Sequence, residues 1–460
     1  MAEESLSEKL ARHHAALQLD RIPDSVLQSA KLHILDSIGC LLAGSRLEPG
    51  QLAYDLAVAT SGGAGSRSAA TLFGTALRVS LLDAVQAMSV AAHCGEMDDI
   101  YSRAGTCIGG MIIPALIAVA ETFGGSGRRF LEATIAGYET TARIGLAINA
   151  PSLFIRGWWP STLCGAFGVA AAGAKFLGWS VDKTVNALGI ASLHAGGMIT
   201  GGNEGATARH LGFGRAAQNG ILSLLAAEQG FTGPKRAFED TRGFCLTVCG
   251  EPRWEYLQTS EDYFLPEVGF KPYPCARQLH AGVEALLRLI QQHSITPQSI
   301  QEIVLFVPTP VAGVVNRPGT STSRAAALGS GQYVMAVTAA RGKMDLASFD
   351  EEFLRDEQVR SLTDKVKVIG DQELDRYFPG SWPGRVRLRA AGEQSYSDEV
   401  LIPKGENGNP MSAREVEDKF YLLAAPLLGD EGARAVMREV RSLDERESLE
   451  SLIAALKMPD

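Results

Sequence analysis

Two short segments of this sequence hold ionisable side chains that could take part in acid–base chemistry. The first, His93-Cys-Gly-Glu-Met-Asp-Asp, ends an apolar run, and the second, Lys271-Pro-Tyr-Pro, precedes another. Two prolines stiffen the chain after Lys271, and a partly desolvated lysine there could have a lowered pKa and act as a base. His280 follows on the next predicted helix and titrates in the useful range. Both are candidate catalytic residues, although Lys271 could be a solvated lysine and His280 a buried structural histidine.

Asp98 and Asp99 follow the helix predicted at Leu81–Ala92. Carboxylates at a helix C-terminus oppose the macrodipole, so one of them should pair with a basic side chain or cap the loop Ile100–Ile108. Adjacent residues cannot share one helical face, so Asp98 and Asp99 should have different surroundings. Direct catalysis by Asp98 and structural support are both open. His93 and Asp99 are too few ligands for a metal ion, and we predict none.

Three further side chains could serve a carboxylate substrate. Arg143 presents a planar fork to a carboxylate, and Tyr138 could be the acid opposite Lys271. The alternative for Arg143 is a local ion pair with Glu139, four residues earlier on the same helix. Arg209 stays charged near pH 7 and is a candidate anion clamp or an exposed arginine.

Composition excludes several classes of protein. The 460 residues are 46% hydrophobic and carry a formal charge of −9, without a basic patch, so nucleic acid and anionic membrane are excluded as partners. Seven scattered cysteines without a CxxC pair favour a reducing compartment. The charged N-terminus is not a secretory signal, and no apolar stretch reaches the roughly 20 residues of a membrane span. We therefore predict a cytoplasmic protein.

The predicted secondary structure that must position these residues changes at Pro266–Pro274, from helices alone to helices and strands. Before it, helical spacing of apolar residues predicts helices at Ser25–Leu42, Leu81–Ala92, Phe130–Ile148, Gly165–Leu177 and Ala216–Gly230. After it, one helix (Gln278–His293) precedes strands at Glu302–Val307, Arg385–Arg389 and Ser395–Ile402, the last two as a hairpin. The tail returns to helix at Ser412–Leu428 and Asp430–Leu456. The sequence predicts a mainly α fold, in which an all-helical domain (1–265 and 404–460) is interrupted by a smaller α+β domain (266–403).

Seven segments, in order across nearly the whole chain, resemble the MmgE/PrpD family, which includes 2-methylcitrate dehydratase, cis-aconitate decarboxylase and iminodisuccinate epimerase. The resemblance implies a helical domain, an α+β lid, a site between them, a homodimer, and neither metal nor organic cofactor. The segments are Ile22–Gly44, Glu96–Asp99, Gly137–Gly145, Gly157–Gly168, Ala217–Pro234, Lys271–His280 and Ile402–Phe420.

The departures from the family pattern concern polar positions. Tyr101 and Cys107 stand where the decarboxylases carry histidine, and Trp159 replaces the histidine of a Trp-His pair. Arg209 replaces a lysine, and another histidine position holds Gly212 or Phe213. The loop Ile100–Ile108 matches one that lines the pocket in relatives, so the resemblance implies that Tyr101 and Cys107 contact the substrate. The predicted substrate-binding set, in a pocket of reduced polarity, is Arg209, Arg143, Asp99, Tyr101, Trp159 and Cys107.

The sequence therefore predicts a cofactor-independent enzyme that moves a proton at carbon beside a carboxylate of a small polycarboxylate. An epimerase of the iminodisuccinate type is preferred, because Lys271, Tyr138 and Arg209 are present while the decarboxylase histidines are not. A dehydratase resembling 2-methylcitrate dehydratase, or a related lyase for a bulkier, less polar acid, is the alternative. A catalytically silent binding or structural protein is the hypothesis from another class.

Overall fold

Buried helices build the first part of the chain. The structure, a computed structural model, describes residues 4–61, 69–201, 204–258, 262–319, 323–392 and 394–457. The five helices predicted before Pro266 are all confirmed, although two of them begin earlier than predicted, at Pro160 instead of Gly165 and at Ala208 instead of Ala216. In chain order the elements are α1 (Leu6–Ala16), α2 (Asp24–Gly44), α3 (Glu48–Thr60), β1 (Ala69–Thr71), β2 (Arg78–Ser80), α4 (Leu81–Cys94), α5 (Gly109–Phe123), α6 (Gly127–Ala147), α7 (Ala150–Ile155), α8 (Pro160–Phe176), α9 (Val181–Ser192), α10 (Ala208–Glu228) and α11 (Phe244–Cys249).

Small residues allow the central helices of this domain to approach closely. A Cβ at Gly168 of α8 would lie 1.9 Å from Oγ1 of Thr141 on α6, so only glycine permits this contact. Close approach of this kind increases the contact between helices, and it explains why glycine is frequent in this part of the chain.

The lid contains a four-stranded sheet covered by helices. Its elements are α12 (His280–His293), β3 (Ile300–Val307), α13 (Thr309–Val315), α14 (Arg324–Ala327), α15 (Gly331–Arg341), α16 (Glu351–Arg355), α17 (Glu357–Thr363), β4 (Val366–Gly370), α18 (Gln372–Asp375), β5 (Gly384–Ala390) and β6 (Ser395–Val400). The strand order is β4-β3-β5-β6, with β3 parallel to β4 and antiparallel to β5. The predicted hairpin is confirmed as β5 and β6, while β4 was not predicted because only two of its residues face the core.

The tail completes the helical domain. It forms α19 (Ala413–Arg441) and α20 (Glu450–Ala455), and α19 packs along α2. The break predicted between Leu428 and Asp430 is a kink within α19 at Gly429, whose φ is 70°.

Two large hydrophobic cores divide the described part of the chain. The core of the helical domain extends to Val268 and resumes at Phe420, and the core of the lid runs from Cys275 to Val400. The mainly α fold with a smaller α+β domain is confirmed, while the exact domain boundaries stay a prediction.

One described helix, α2, is long and apolar enough to cross a membrane, but 72% of its most apolar window is buried in the protein. It therefore has the environment of a core helix.

Candidate active site

A cavity of about 380 Å³ lies between the two domains. The helical domain contributes the turn after α4, α7 and the start of α10, and the lid contributes the segment before α12 and the end of α13. The polar side chains of the described cavity wall include His93, Glu96, Arg209, Lys271 and Arg317.

Glu96 lies at the centre of the charged wall. It is 7% exposed and has a φ of 53°, an unusual backbone conformation for a residue other than glycine. Its carboxylate accepts a hydrogen bond from Nζ of Lys271 at 2.9 Å and is also paired with Arg209. Burial alone would raise the pKa of Glu96, but the charges of Lys271 and Arg209 outweigh it and hold the pKa well below its ordinary value. Glu96 is therefore an anion that joins two cations across the domain boundary.

Lys271 is charged rather than a neutral base. It is 1% exposed, and its Nζ lies 3.8 Å from Oδ1 of Asp98. Burial opposes the charge, but the carboxylate of Glu96 outweighs that effect and raises the pKa of Lys271 above its ordinary value. The expectation that desolvation would lower this pKa is therefore wrong, because the sequence did not reveal the carboxylate facing the lysine.

His93 and Asp98 form a buried pair beside this cluster. Nδ1 of His93 lies 2.9 Å from Oδ2 of Asp98, and the imidazole stacks on Phe213 with ring centroids 4.1 Å apart. Since a carboxylate only accepts, Nδ1 carries the proton of this bond. Nε2 has no hydrogen-bond partner within the described residues and lies 3.8 Å from Oε1 of Glu96. His93 is thus oriented by one nitrogen and can exchange a proton through the other. This role was not predicted, although the His-x4-Asp spacing is visible in the sequence.

Asp99 points away from Asp98 and supports the fold. Its carboxylate accepts from Nδ1 of His33 at 2.8 Å, from the hydroxyl of Tyr138 at 2.5 Å, and from the backbone N–H of Gly109 at 2.8 Å. Burial would raise the pKa of Asp99, but these donors lower it. Burial and the Asp99 charge together raise the pKa of the Tyr138 hydroxyl. Tyr138 is absent from the described cavity wall, and its hydroxyl is bound to Asp99.

Arg143 and Tyr101 also lie outside the described cavity wall. Arg143 is buried, lies 3.3 Å from Glu139 and donates to the backbone carbonyl of Asp262 at 2.8 Å. The hydroxyl of Tyr101 donates to Glu267 at 2.8 Å. Both side chains hold the loops that precede the lid, and the local ion pair is the interpretation of Arg143 that the geometry favours.

His280 has a structural environment. It is fully buried, with Nε2 3.1 Å from the carbonyl of Cys275, and burial together with Arg277 holds its pKa well below the ordinary value. A neutral histidine at this place anchors the segment that carries Lys271. The neighbouring Arg277 does line the cavity and pairs with Glu406 at 3.1 Å.

Arg317 adds a cation that the sequence analysis did not identify, because it lies in a loop without a motif. Its guanidinium packs against Gly329, where a Cβ would approach within 2.7 Å. Burial and the nearby Arg209 lower the pKa of Arg317 to about 10, so it remains charged at neutral pH. Together with Lys271, Arg209 and Arg277, Arg317 brings the number of Lys and Arg side chains in the described cavity wall to four. The same wall has two carboxylates, those of Glu96 and Glu204, so its excess of positive charge suits an anionic ligand.

Cys107 and Trp159 line the cavity, and the side chains of His93, Asp98 and Cys107 bring three possible metal ligands within 4.8 Å of one another. The environment does not suit a dication, because the ammonium of Lys271 lies beside Asp98. Burial, with the Asp98 charge, raises the pKa of the Cys107 thiol well above its ordinary value, whereas a metal ligand must be a thiolate. The absence of a metal stays a prediction.

The fold and the cavity define a two-domain protein with a mainly helical domain, an α+β lid and a cationic cleft between them. The sequence matches the MmgE/PrpD N-terminal domain over residues 8–257 and the MmgE/PrpD C-terminal domain over residues 273–445. This chain belongs to the MmgE/PrpD family, as the sequence segments predicted.

Similar proteins cover almost the whole chain. A cis-aconitate decarboxylase-like protein, oryM, of Aspergillus oryzae is 28% identical over 99% of this chain and 98% of its own length. The cis-aconitate decarboxylase of Aspergillus terreus is 26% identical over 100% of this chain and 97% of its own length. The human cis-aconitate decarboxylase is 27% identical over 99% of this chain and 95% of its own length. The names of these relatives are those of enzymes, and decarboxylases are lyases.

Proposed function

We propose that this protein is a cofactor-independent lyase that moves a proton at carbon beside a carboxylate of a small polycarboxylate. The observation that carries the proposal is the buried His93–Asp98 pair next to Glu96, Lys271 and Arg209 on one cavity wall. A proton-transfer group and carboxylate-binding cations within one site are what this chemistry requires.

Each residue has a distinct role. Lys271 has three N–H donors, and Nε of Arg209 has no partner within the described residues, so both can donate to a substrate carboxylate while paired with Glu96. Nε2 of His93 exchanges the proton at carbon, and Asp98 orients the ring. Arg277 and Arg317 hold a second carboxylate from the lid.

Two bond-breaking reactions suit these roles. In dehydration, His93 takes the proton from carbon, the C–H electron pair forms the double bond, and hydroxide leaves with a proton from a cationic donor. In decarboxylation, the C–C bond to a carboxylate breaks, carbon dioxide leaves, and His93 delivers a proton to the carbon framework. The names of the relatives support decarboxylation. The replacement of family histidines by Cys107 and Trp159 supports a substrate different from that of the relatives.

The epimerase has weaker support. An epimerase needs two proton carriers on opposite faces of one carbon, and we expected Tyr138 to oppose Lys271. The hydroxyl of Tyr138 instead donates to Asp99, and the charge on Lys271 does not suit a base. We also propose, from the family expectation, that the protein acts as a cytoplasmic homodimer.

Proton NMR of purified protein in deuterated buffer tests the function. The panel contains cis-aconitate, citrate, 2-methylcitrate and iminodisuccinate. Product with new vinylic signals, or substrate loss with carbon dioxide release, supports a lyase. Deuterium exchange without loss of water or carbon dioxide would instead support an epimerase, and silence from a folded protein across the panel would favour a binding protein or a bulkier substrate.

A further inference from the structure

We propose that the substrate carries a hydrocarbon substituent, and that this substituent lies against an apolar flank of the cavity. The apolar flank is defined by Phe154 and Ile155 of α7, by Ile199, and by Val314 of α13 across the cavity. The inference rests on the proposed function, which supplies the carboxylate end of the same molecule.

The apolar flank is continuous with the charged wall through Trp159. The Trp159 ring lies 5.3 Å from the ring of His93 and 6.0 Å from the guanidinium carbon of Arg209. Its backbone N–H donates to the carbonyl of Gly197 at 3.0 Å, and the N–H of Ile199 donates to the carbonyl of Gly157 at 3.0 Å. These bonds fix Ile199 beside the segment that joins α7 to Trp159. Trp159 and the apolar flank thus line the same cavity as His93 and Arg209.

The side chains of the flank are accessible to a ligand. Ile155 is 44% exposed, and Phe154, Ile199 and Val314 are half-buried. The helix α7 has the sequence Ala-Pro-Ser-Leu-Phe-Ile and contributes no charged group to the cavity. A further carboxylate placed against α7 would lose its hydration without gaining a cation from that helix, whereas methylene groups would be removed from water. On the lid side, Nε of Arg317 donates to the backbone carbonyl of Val314 at 3.1 Å. The α7 side of the flank therefore favours an alkyl group over another acid.

A chain-length series tests the inference without requiring turnover. Succinates with alkyl groups from methyl to octyl carry two carboxylates and are titrated calorimetrically into the full-length protein. We expect Kd to fall about fourfold for each added methylene until the flank is filled, the factor that corresponds to about 0.8 kcal/mol. Phe154→Ala and, separately, Ile199→Ala should reduce this dependence on chain length. Leu193→Ala removes a side chain that is 72% exposed and absent from the cavity wall, and it should leave the dependence unchanged.

The outcomes separate this inference from the proposed function. A Kd that is independent of chain length would overturn the apolar flank as a binding site, even if the enzyme turned over a short acid in the NMR assay. Affinity that rises with chain length supports the flank, and turnover of the corresponding alkyl-substituted unsaturated or hydroxy acids then identifies these as substrates. Rising affinity without turnover of any acid would keep the flank and refute the lyase.

Discussion

Nδ1 of His93 and Oδ2 of Asp98 are 2.9 Å apart, and both side chains are buried where the helical domain faces the lid. The pair leaves Nε2 of His93 beside the carboxylate of Glu96, which is itself bound to Lys271. One short turn after α4 thus connects the proton-transfer group to the cations that would hold a substrate. This arrangement gives the first prediction.

His93→Gln should lower kcat by a factor of about 10² to 10⁴, because general acid–base groups typically contribute that much. Binding of an inert succinate should change little, since the cations remain. His293→Gln is the matched control, because His293 packs on Tyr396 in the lid, away from the cavity. Equal turnover by His93→Gln and wild type would refute the assignment.

Lys271→Ala should abolish turnover, because the substrate carboxylate loses its buried ammonium. Removing one partner of a buried pair also lowers the free energy of unfolding by about 3–5 kcal/mol. The turnover of this variant must therefore be compared with that of a more stable variant that also lacks Lys271. The double variant Lys271→Met with Glu96→Gln should recover part of the free energy of unfolding but no turnover. Lys343→Ala, at a lid lysine that is 62% exposed, should retain activity. Recovery of turnover in the double variant would mean that Lys271 acts only in folding.

The titration of Glu139 should make the free energy of unfolding depend on pH. Burial, opposed by Arg143, raises the pKa of Glu139 from 4.5 to about 7. Because the folded pKa is the higher one, the protonated form contributes stability that is present below about pH 4.5 and is lost as pH rises through about 7. The loss by pH 8 is about 3 kcal/mol.

Glu139→Gln removes this titration and keeps an oxygen that can accept from the N–H groups of Phe264 and Leu265. Urea unfolding should show the variant gaining about 3 kcal/mol relative to wild type between roughly pH 4 and pH 8. Glu431→Gln, at a carboxylate that is 80% exposed, should show no such change. A difference that stays constant with pH contradicts the prediction.

Lys419 should position the catalytic turn from a distance. Its Nζ donates to the carbonyl of Met97 at 2.6 Å and lies 2.6 Å from Oδ1 of the buried Asp36. Lys419→Met should destabilise the protein by about 3–5 kcal/mol, and adding Asp36→Asn should restore much of that. In both variants we expect kcat to fall by about tenfold or more, because the turn that carries Glu96 and Asp98 loses its donor. Full activity of the double variant at wild-type stability would refute a positioning role.

The sequence predicted local features more completely than the site. Helices with regular apolar spacing were identified, because that spacing reports burial directly. Lys271, Arg209, Trp159 and Cys107 were predicted site residues that do line the described cavity wall. The other predicted site residues are absent from it: Asp98, Asp99, Tyr138, Arg143, Tyr101 and His280. The side of a fully buried helix that faces the cavity depends on the packing of its neighbours, as α6 illustrates with Tyr138 and Arg143. Arg317 reaches the site only through the fold of the lid, so no local pattern could indicate it.

The packing of α19 on α2 also has a consequence for biosynthesis. The ribosome releases α2 first, then the entire lid, and only afterwards the helix that covers α2. The lid core is continuous in sequence from Cys275 to Val400, so it can close while the earlier helices still lack their last partner. We therefore expect the nascent chain to expose an apolar face of α2 until synthesis is nearly finished, and to depend on chaperones during that interval. Protease sensitivity of ribosome-bound chains, compared before and after α19 emerges, would measure how long that face stays uncovered.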